Sequence, residues 1–288
     1  MIEVINWSAT VPGKSSDSFS LKNRIKFGWR PGFSDIRDFT IEKIIPSAGK
    51  SRKRLPEKHI LEENLFSPIE DQRDIGSCTA NAAAGIIEYL EKKVKGTHID
   101  VSRLFLYKVT RMLMGVTGDT GAYLRDTMKA MRLFGLLPES YWPYVPSTFD
   151  KEPTAFQYSI AANYKSLSYF RVDTPGMTQD QILLSVKQRL SKNIPLMCGF
   201  VCYSSLYSAQ YGVIPTPTNA DTVIGGHAVT LVGYDDSRSL LKLRNSWGTS
   251  WGQNGYGWIP YSFVQNGLLF DIWGVLKQDW VDTGVFAE

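Results

Sequence analysis

The apolar positions of the chain follow two rhythms. From Thr79 an alanine-rich run leads into Ile86, Ile87, Leu90 and Val94, which share one face of a helix. Leu104, Phe105, Tyr107 and Leu113 repeat that spacing with Ser102 near the start. Leu124, Met128, Met131 and Leu133 do so again before a stop at Gly135, a suitable C-terminal cap. Thr178 begins a fourth amphipathic helix over 178–193. Between the third and the fourth, the stretch from Leu137 to Pro153 is punctuated by four prolines and reads as loop. From Ile194 onward the rhythm shortens to β-rich runs: PLMCGFVCY, HAVTLVGY, SLLKLRNSW, GYGWIP and LLFDIWGV. Turn residues at Asp235-Asp236 and Gly252-Gln253-Asn254-Gly255 part several of them. The pattern predicts an α+β fold, a helical lobe followed by an antiparallel sheet or barrel.

Residues 1 to about 55 follow neither rhythm. They are rich in Ser, Gly, Pro and basic residues, with aromatics at Trp7, Phe19, Phe27, Trp29, Phe33 and Phe39. Such a stretch has no core of its own and is expected to lie extended on the rest of the molecule, anchored by its aromatics. It closes with GKSRKRLPEK, residues 49–58, which reads as a solvated basic loop or, more sharply, as a processing site. The expected organisation is an N-terminal extension over 1–55 and a domain over 56–288. That domain divides into a helical lobe over about 56–165 and a β-rich lobe over about 166–288.

Composition narrows the class. With 43% hydrophobic and 21% charged residues among 288, the chain has the make-up of a globular protein with ample core. Its 32 basic and 28 acidic residues leave a net charge of +4, too slight to argue for nucleic acid, and no apolar run approaches the roughly 18 residues of a membrane span. Neither is expected as a partner. The N-terminal MIEVINWSATVPGK lacks the basic and apolar regions of a secretory signal. Cys198 and Cys202, four steps apart on a predicted strand, would lie about 13 Å from one another, whereas a disulfide needs Cα atoms within about 7 Å. With no disulfide framework, the chain suits a reducing compartment, or export without a recognisable signal.

The third cysteine has a different setting. Cys78 stands at the first turn of the predicted helix, after Gly76-Ser77, where Ser77 can cap free N–H groups and the helix dipole favours a thiolate. Gln72, six residues upstream, can donate its amide to an oxyanion formed when the sulfur attacks a carbonyl. In the β-rich half, His227 follows two glycines at the start of an apolar strand. Asn245 ends another strand, two residues before Trp247. A thiol nucleophile needs an imidazole base and an acceptor that holds the other ring nitrogen; an asparagine carbonyl serves, with an indole to shield the bond. Taken singly, an inert buried thiol, a satisfied core histidine and a tight glycine turn explain these residues equally well. Their order, Gln, Cys, His, Asn, does not follow from those bland explanations.

These motifs, with WGQNGYG, resemble the papain family of cysteine peptidases over residues 56–288. His227 lies 149 residues beyond Cys78, close to the family's spacing of about 130–150. DQ-x-x-x-GSCTANA, DTGAYLRDTMKA, WPY, DIW and RIKFGWRPGFSDIRDF are similar to a bacterial branch with short N-terminal extensions. Where plant and lysosomal members carry a disulfide cysteine and a tryptophan around the nucleophile, this chain has Ile75 and Thr79. The resemblance implies a two-lobe fold with a cleft, Cys78 on one wall and His227 on the other. Cys78 is then the nucleophile, His227 the proton relay, Asn245 its orienter, and Gln72 an oxyanion donor. It also implies peptide binding at Gly121-Ala122, in place of the family's Gly-Gly pair, with Tyr123, Leu124, Gly226, Ala228 and Trp247 lining the adjoining site. That lining favours an apolar or aromatic residue two places before the scissile bond. Peptides or proteins are the implied substrates, and residues 1–55 are expected to pack on the enzyme's own surface, partly covering the cleft as a pro-segment does in a zymogen; a permanent strap that stabilises the fold without touching the site fits their aromatic content equally well. No cofactor or metal is expected, since no CxxC or HxxxH spacing occurs. The same residues would also serve an acyltransferase or deamidase, and a regulatory module with a retired site is the third alternative.

Overall fold

The structure, a computed structural model, describes residues 25–40, 54–97 and 100–280. Trp7, Phe19 and the first half of the basic run, residues 49–53, lie outside them. In chain order the elements are β1 (Trp29–Arg30), β2 (Lys58–Ile60), α1 (Cys78–Lys95), α2 (Arg103–Leu113), β3 (Ala122–Tyr123), α3 (Leu124–Leu133) and α4 (Ala155–Ala161). They continue with β4 (Tyr164–Arg171), α5 (Gln179–Leu190), β5 (Leu196–Tyr203), β6 (Val223–Asp235), β7 (Leu240–Arg244), β8 (Tyr256–Pro260), α6 (Tyr261–Gln265) and β9 (Leu269–Trp280). Among the described residues no helix is long and apolar enough to cross a membrane.

The main sheet runs β4-β9-β5-β6-β7-β8, every neighbouring pair antiparallel, with β2 also paired to β6. The α+β division into a helical part and an antiparallel part therefore holds, with two amendments at the lobe boundary. Lys58–Ile60 belong to the sheet, paired with Gly233–Asp235, although they precede every helix. The sheet also takes in β4, which starts at Tyr164, ahead of the expected boundary.

α1 is the hinge of the architecture because its first three turns are made of small residues. Cys78 through Tyr89 are all buried. Alanines at 80 and 82–84 let β6 come close enough for the Thr230 hydroxyl to donate to the Ala82 carbonyl at 3.0 Å. Gly85 admits the Arg244 guanidinium, which would lie 3.5 Å from a Cβ there. Beyond this the helix leaves the core, so Val94 is 80% exposed and does not extend the buried face as its spacing predicts. Leu113 and Leu133 end their helices in the same way, largely in solvent.

Several predicted helix ends are observed. The Ser102 hydroxyl accepts from Phe105 N–H, Thr178 forms a capping box with Gln181, and Gly135 follows α3 with φ +84°. Ser77 departs from expectation: it caps no N–H, and its hydroxyl is paired instead with Tyr144 Oη at 2.6 Å and Asn81 Nδ2 at 3.0 Å. α4 has its own capping box, Thr154 with Gln157, hidden in sequence by the prolines around it.

Candidate active site

Cys78 opens α1 with its side chain wholly buried. His227 lies on β6 opposite Phe200 of β5. β7 ends at Arg244, paired with Thr230, so the chain leaves the sheet at Asn245 on the flank where His227 lies. Asn245 N–H is held by the Gly255 carbonyl at 3.0 Å, and Gln72 N–H by the Ser246 carbonyl at 2.9 Å. Two turns thus bring Gln72 and Asn245 together across a long stretch of sequence.

His227 Nε2 donates to Asn245 Oδ1 at 2.8 Å, since an amide oxygen only accepts. The proton is therefore on Nε2, and Nδ1 is left bare and buried, with no hydrogen-bond partner among the described residues. Trp247 lies flat on the imidazole, ring centres 4.3 Å apart, and Phe200 meets its edge. Trp247 thus covers the imidazole that bonds to Asn245, as the shielding indole was expected to. The amide of Ala228, next in the chain to His227, points at the Cys78 sulfur, as does that of Gly28.

Burial pushes the Cys78 thiol up to about 12, against the pull of those amides. Burial likewise takes His227 down to about 4, with the Asn245 bond working the other way. Both groups are therefore uncharged at neutral pH in this state. Burial thus works against the thiolate that the helix dipole favours, the dipole effect being typically under about 1 kcal/mol.

Residues 26–33 exclude that water. Lys26 carbonyl accepts from Gln72 Nε2 at 2.9 Å, a second bond from Nε2 goes to Ile75 carbonyl at 3.1 Å, and Ser246 Oγ donates to Gln72 Oε1 at 2.7 Å. Gln72 thus faces the site but has no N–H free for an oxyanion. Gly28 carbonyl accepts from Ala122 N–H at 2.7 Å, and β1 pairs with β3 in parallel, Trp29 beside Ala122 and Arg30 beside Tyr123. Gly121, at φ +69°, approaches the strap so closely that a Cβ would sit 2.3 Å from Gly28 carbonyl oxygen. Leu124 is fully buried in the same apolar cluster as Trp29, Ala122 and Ala228.

The Trp29 indole fills the pocket beside this strand pair. Its Nε1 donates to Asp271 Oδ2 at 3.1 Å, its ring meets Phe270 edge-on at 4.9 Å, and Cβ atoms built on Gly199 or Gly226 would overlap it. Gly226 was expected here; Gly199, Phe270 and Asp271 were not. A glycine inside an apolar strand was the available signal at 199, since it marks a close approach. Farther along, Arg171 donates to the carbonyls of Gly32 and Phe33, and Arg125 pairs with Asp38 at 2.7 Å. Of the expected anchors, Trp29 is 2% exposed, whereas Phe33 is 71% and Phe39 45% exposed, so polar bonds hold the far end of the strap.

One carboxylate trio among the described residues, Glu70, Glu88 and Asp100, brings its oxygens within 4.8 Å of one another. Arg103 pairs with Glu70, and Arg244 reaches Glu88 through Ser67, so two of the three carboxylates are already engaged by arginines. All three cysteines are free thiols.

A buried thiol at a helix start, with the amide next in the chain to an asparagine-held imidazole at its sulfur, between a helical part and an antiparallel part, fits the class of papain-like thiol peptidases. Residues 56–266 match the family model described as papain family cysteine protease, and the chain belongs to that family of hydrolases. It is 36% identical over 210 residues to an uncharacterized peptidase C1-like protein of Acanthamoeba polyphaga mimivirus, covering 70% of this chain and 68% of that one. A cathepsin L-like proteinase of Fasciola hepatica is 26% identical over 68% of this chain, which spans 57% of that relative's length. Among solved structures it is similar to Xylellain, a cysteine protease from Xylella fastidiosa: TM-score 0.75, 34% identity, 92% of this chain and 98% of that one. A procathepsin B of Trypanosoma congolense, at 20% identity and TM-score 0.67 over 95% and 93%, shares the fold.

Proposed function

We propose that this protein hydrolyses peptide bonds through an acyl-thioester on Cys78, and that residues 25–40 hold it in a closed state that must open before turnover. The observation that carries this reading is the 2.8 Å bond from His227 Nε2 to Asn245 Oδ1, which leaves Nδ1 bare while the neighbouring Ala228 amide touches the sulfur. In the open state Nδ1 takes the thiol proton and the thiolate attacks the scissile carbonyl carbon. The carbonyl electrons move onto oxygen, where Gln72 Nε2 and the Cys78 N–H stabilise them. The C–N bond then breaks and the amine leaves with the proton from His227. Water, deprotonated by His227, attacks the thioester, releasing a carboxylate and restoring the thiol.

The strap stands where a substrate would. Lys26 carbonyl takes the Gln72 N–H, Gly28 N–H faces the sulfur, and Gly28 carbonyl takes the Ala122 N–H. Its Trp29 indole, packed on Phe270, Gly199 and Gly226, supports a preference for a bulky apolar or aromatic residue two places before the scissile bond.

The test is labelling of the full chain with an epoxide-type thiol inhibitor, mapping of the modified residue, and turnover of a fluorogenic peptide by Cys78→Ala. The label is expected on Cys78, with turnover abolished in the variant. A label on Cys198 or Cys202, or full turnover in Cys78→Ala, would overturn the assignment.

A further inference from the structure

We propose that Asp119 is a positioning residue, whose carboxylate ties the loop that delivers Cys78 to the strand edge that receives the peptide and so sets the distance between them. Asp119 Oδ1 accepts from Gly76 N–H at 2.8 Å and from the Tyr107 hydroxyl at 2.6 Å. The Tyr107 oxygen in turn accepts from Gly121 N–H at 3.0 Å. Gly76 stands two residues before the nucleophile, and Gly121 immediately before Ala122, whose N–H holds the strap carbonyl. A single carboxylate therefore reaches both loops, one directly and one through a phenol.

The clamp is itself held from behind. Tyr107 is wholly buried on α2, with the Arg111 guanidinium lying over its ring at 4.1 Å and over Phe149 at 4.9 Å. Arg111 donates to Gly118 carbonyl and pairs with Asp150 at 2.9 Å, while Asp150 Oδ2 accepts from Gly118 N–H at 3.0 Å. The turn over 118–121 is thus pinned before it reaches Asp119. The approach is close: a Cβ on Gly76 would come within 3.1 Å of Asp119 Oδ1 and 3.4 Å of Gly121 N, so a larger residue would push these loops apart by a few tenths of an ångström. Asp119 Oδ2 also lies 3.6 Å from Lys26 Nζ of the strap, but Lys26 is half exposed and the pair is weak.

This inference rests on the peptidase reading for its kinetic part, and on backbone protection for a part that does not. Misplacing a reacting centre by about 1 Å costs on the order of 100-fold in rate. Asp119→Ala is expected to lower kcat on a fluorogenic peptide by about 10- to 100-fold with little change in KM. Alkylation of Cys78 by iodoacetamide, which needs no peptide edge, should remain near the wild-type rate. Asp119→Asn keeps an acceptor oxygen and should restore most of kcat. Independently of any turnover, amide hydrogen exchange in Asp119→Ala should accelerate at Gly76 and Gly121 together, and in Tyr107→Phe at Gly121 with Gly76 still protected. Unchanged exchange at both glycines overturns the clamp, whether or not the protein cleaves peptides. So does full kcat in Asp119→Ala of an enzyme whose turnover is abolished by Cys78→Ala. Wild-type protein without turnover, but with the expected exchange pattern, would sink the peptidase reading and keep the clamp.

Discussion

Gly28 is the narrowest point of the strap, and replacing it with alanine should open the enzyme. A Cβ on Gly28 would lie 1.9 Å from the Gly76 carbonyl oxygen, 2.3 Å from its carbon and 2.5 Å from Gly76 Cα. All three obstacles are backbone, so no rotamer change relieves the clash, and Gly76 cannot retreat while Asp119 holds its N–H. Gly28 itself does not have the positive φ that excludes alanine, so the cost falls on the docked strap alone and not on the free one. Forcing an extra methyl into a packed site costs about 1–3 kcal/mol, and an immovable obstacle puts Gly28→Ala toward the upper figure. Alanine also stiffens the undocked chain, which favours docking by about 0.4–1 kcal/mol; this is the smaller effect. The balance shifts the closed–open equilibrium toward open by roughly 5- to 100-fold. The assay is paired: kcat/KM on a small fluorogenic peptide, and the rate at which iodoacetamide alkylates Cys78. Both should rise together in Gly28→Ala with kcat at saturation of the open enzyme unchanged. A folded Gly28→Ala protein with unchanged alkylation and turnover would refute the gating reading. So would a lowered thermal midpoint with no gain in either rate, which is what a purely structural strap would give.

Two further outcomes follow from the His227 environment. Asn245→Ala removes an orienting bond while His227→Ala removes the proton relay, so peptide turnover should fall in both and further in His227→Ala; full rates in both would move the base elsewhere. Because burial lowers His227 from its ordinary 6.5 to about 4, the unfolded chain binds more protons between those values. The stability this histidine contributes is complete above pH 6.5 and lost as pH falls through 4. The buried Asp271, raised to about 6, acts in the opposite sense, its contribution being lost as pH rises through that value. The stability difference between wild type and His227→Gln isolates the histidine, and should shrink by about 2–4 kcal/mol from pH 7 to pH 4 in denaturant titrations. A difference independent of pH would mean that His227 is not held neutral by burial.

The parts of the site legible in sequence were those with local signatures. Cys78 at a helix start, His227 after two glycines and Asn245 before Ser246-Trp247 each carry their setting within a few residues, and the fold brings their side chains to one place. Gln72 was legible as a neighbour of Cys78 but not as a donor already engaged, because its acceptor, the Lys26 carbonyl, is 46 residues away. The pocket around Trp29 was illegible for the same reason. Asp271 reads as a lone acid in an apolar run until the Trp29 and Trp273 indoles and the Gly32 amide converge on its oxygens. β2 was missed because three residues carry no periodicity, and only their partners 173 or more residues later in β6 make them a strand. Val94, Leu113 and Leu133 show the converse limit: helical phase tells which face a residue shares, but not where the helix outruns the core.

The charge state of Cys78 joins these two kinds of information. A helix N-terminus is a local feature and argues for a thiolate; the strap that seals the site is non-local and reverses the sign. The reversal has a chemical use. An exposed thiolate–imidazolium pair reacts with any electrophile that reaches it; under the proposed closed state, a neutral thiol with Gly28 N–H at its sulfur and Lys26 carbonyl on Gln72 would react only after both strap contacts part. The groups that the strap covers are the ones a peptide would need, so opening restores water, ionisation and the oxyanion donor in one event. On that proposal closure and catalysis would compete for Gln72 Nε2 and Ala122 N–H, and a substrate that binds both N–H groups would itself be an agent that displaces the strap.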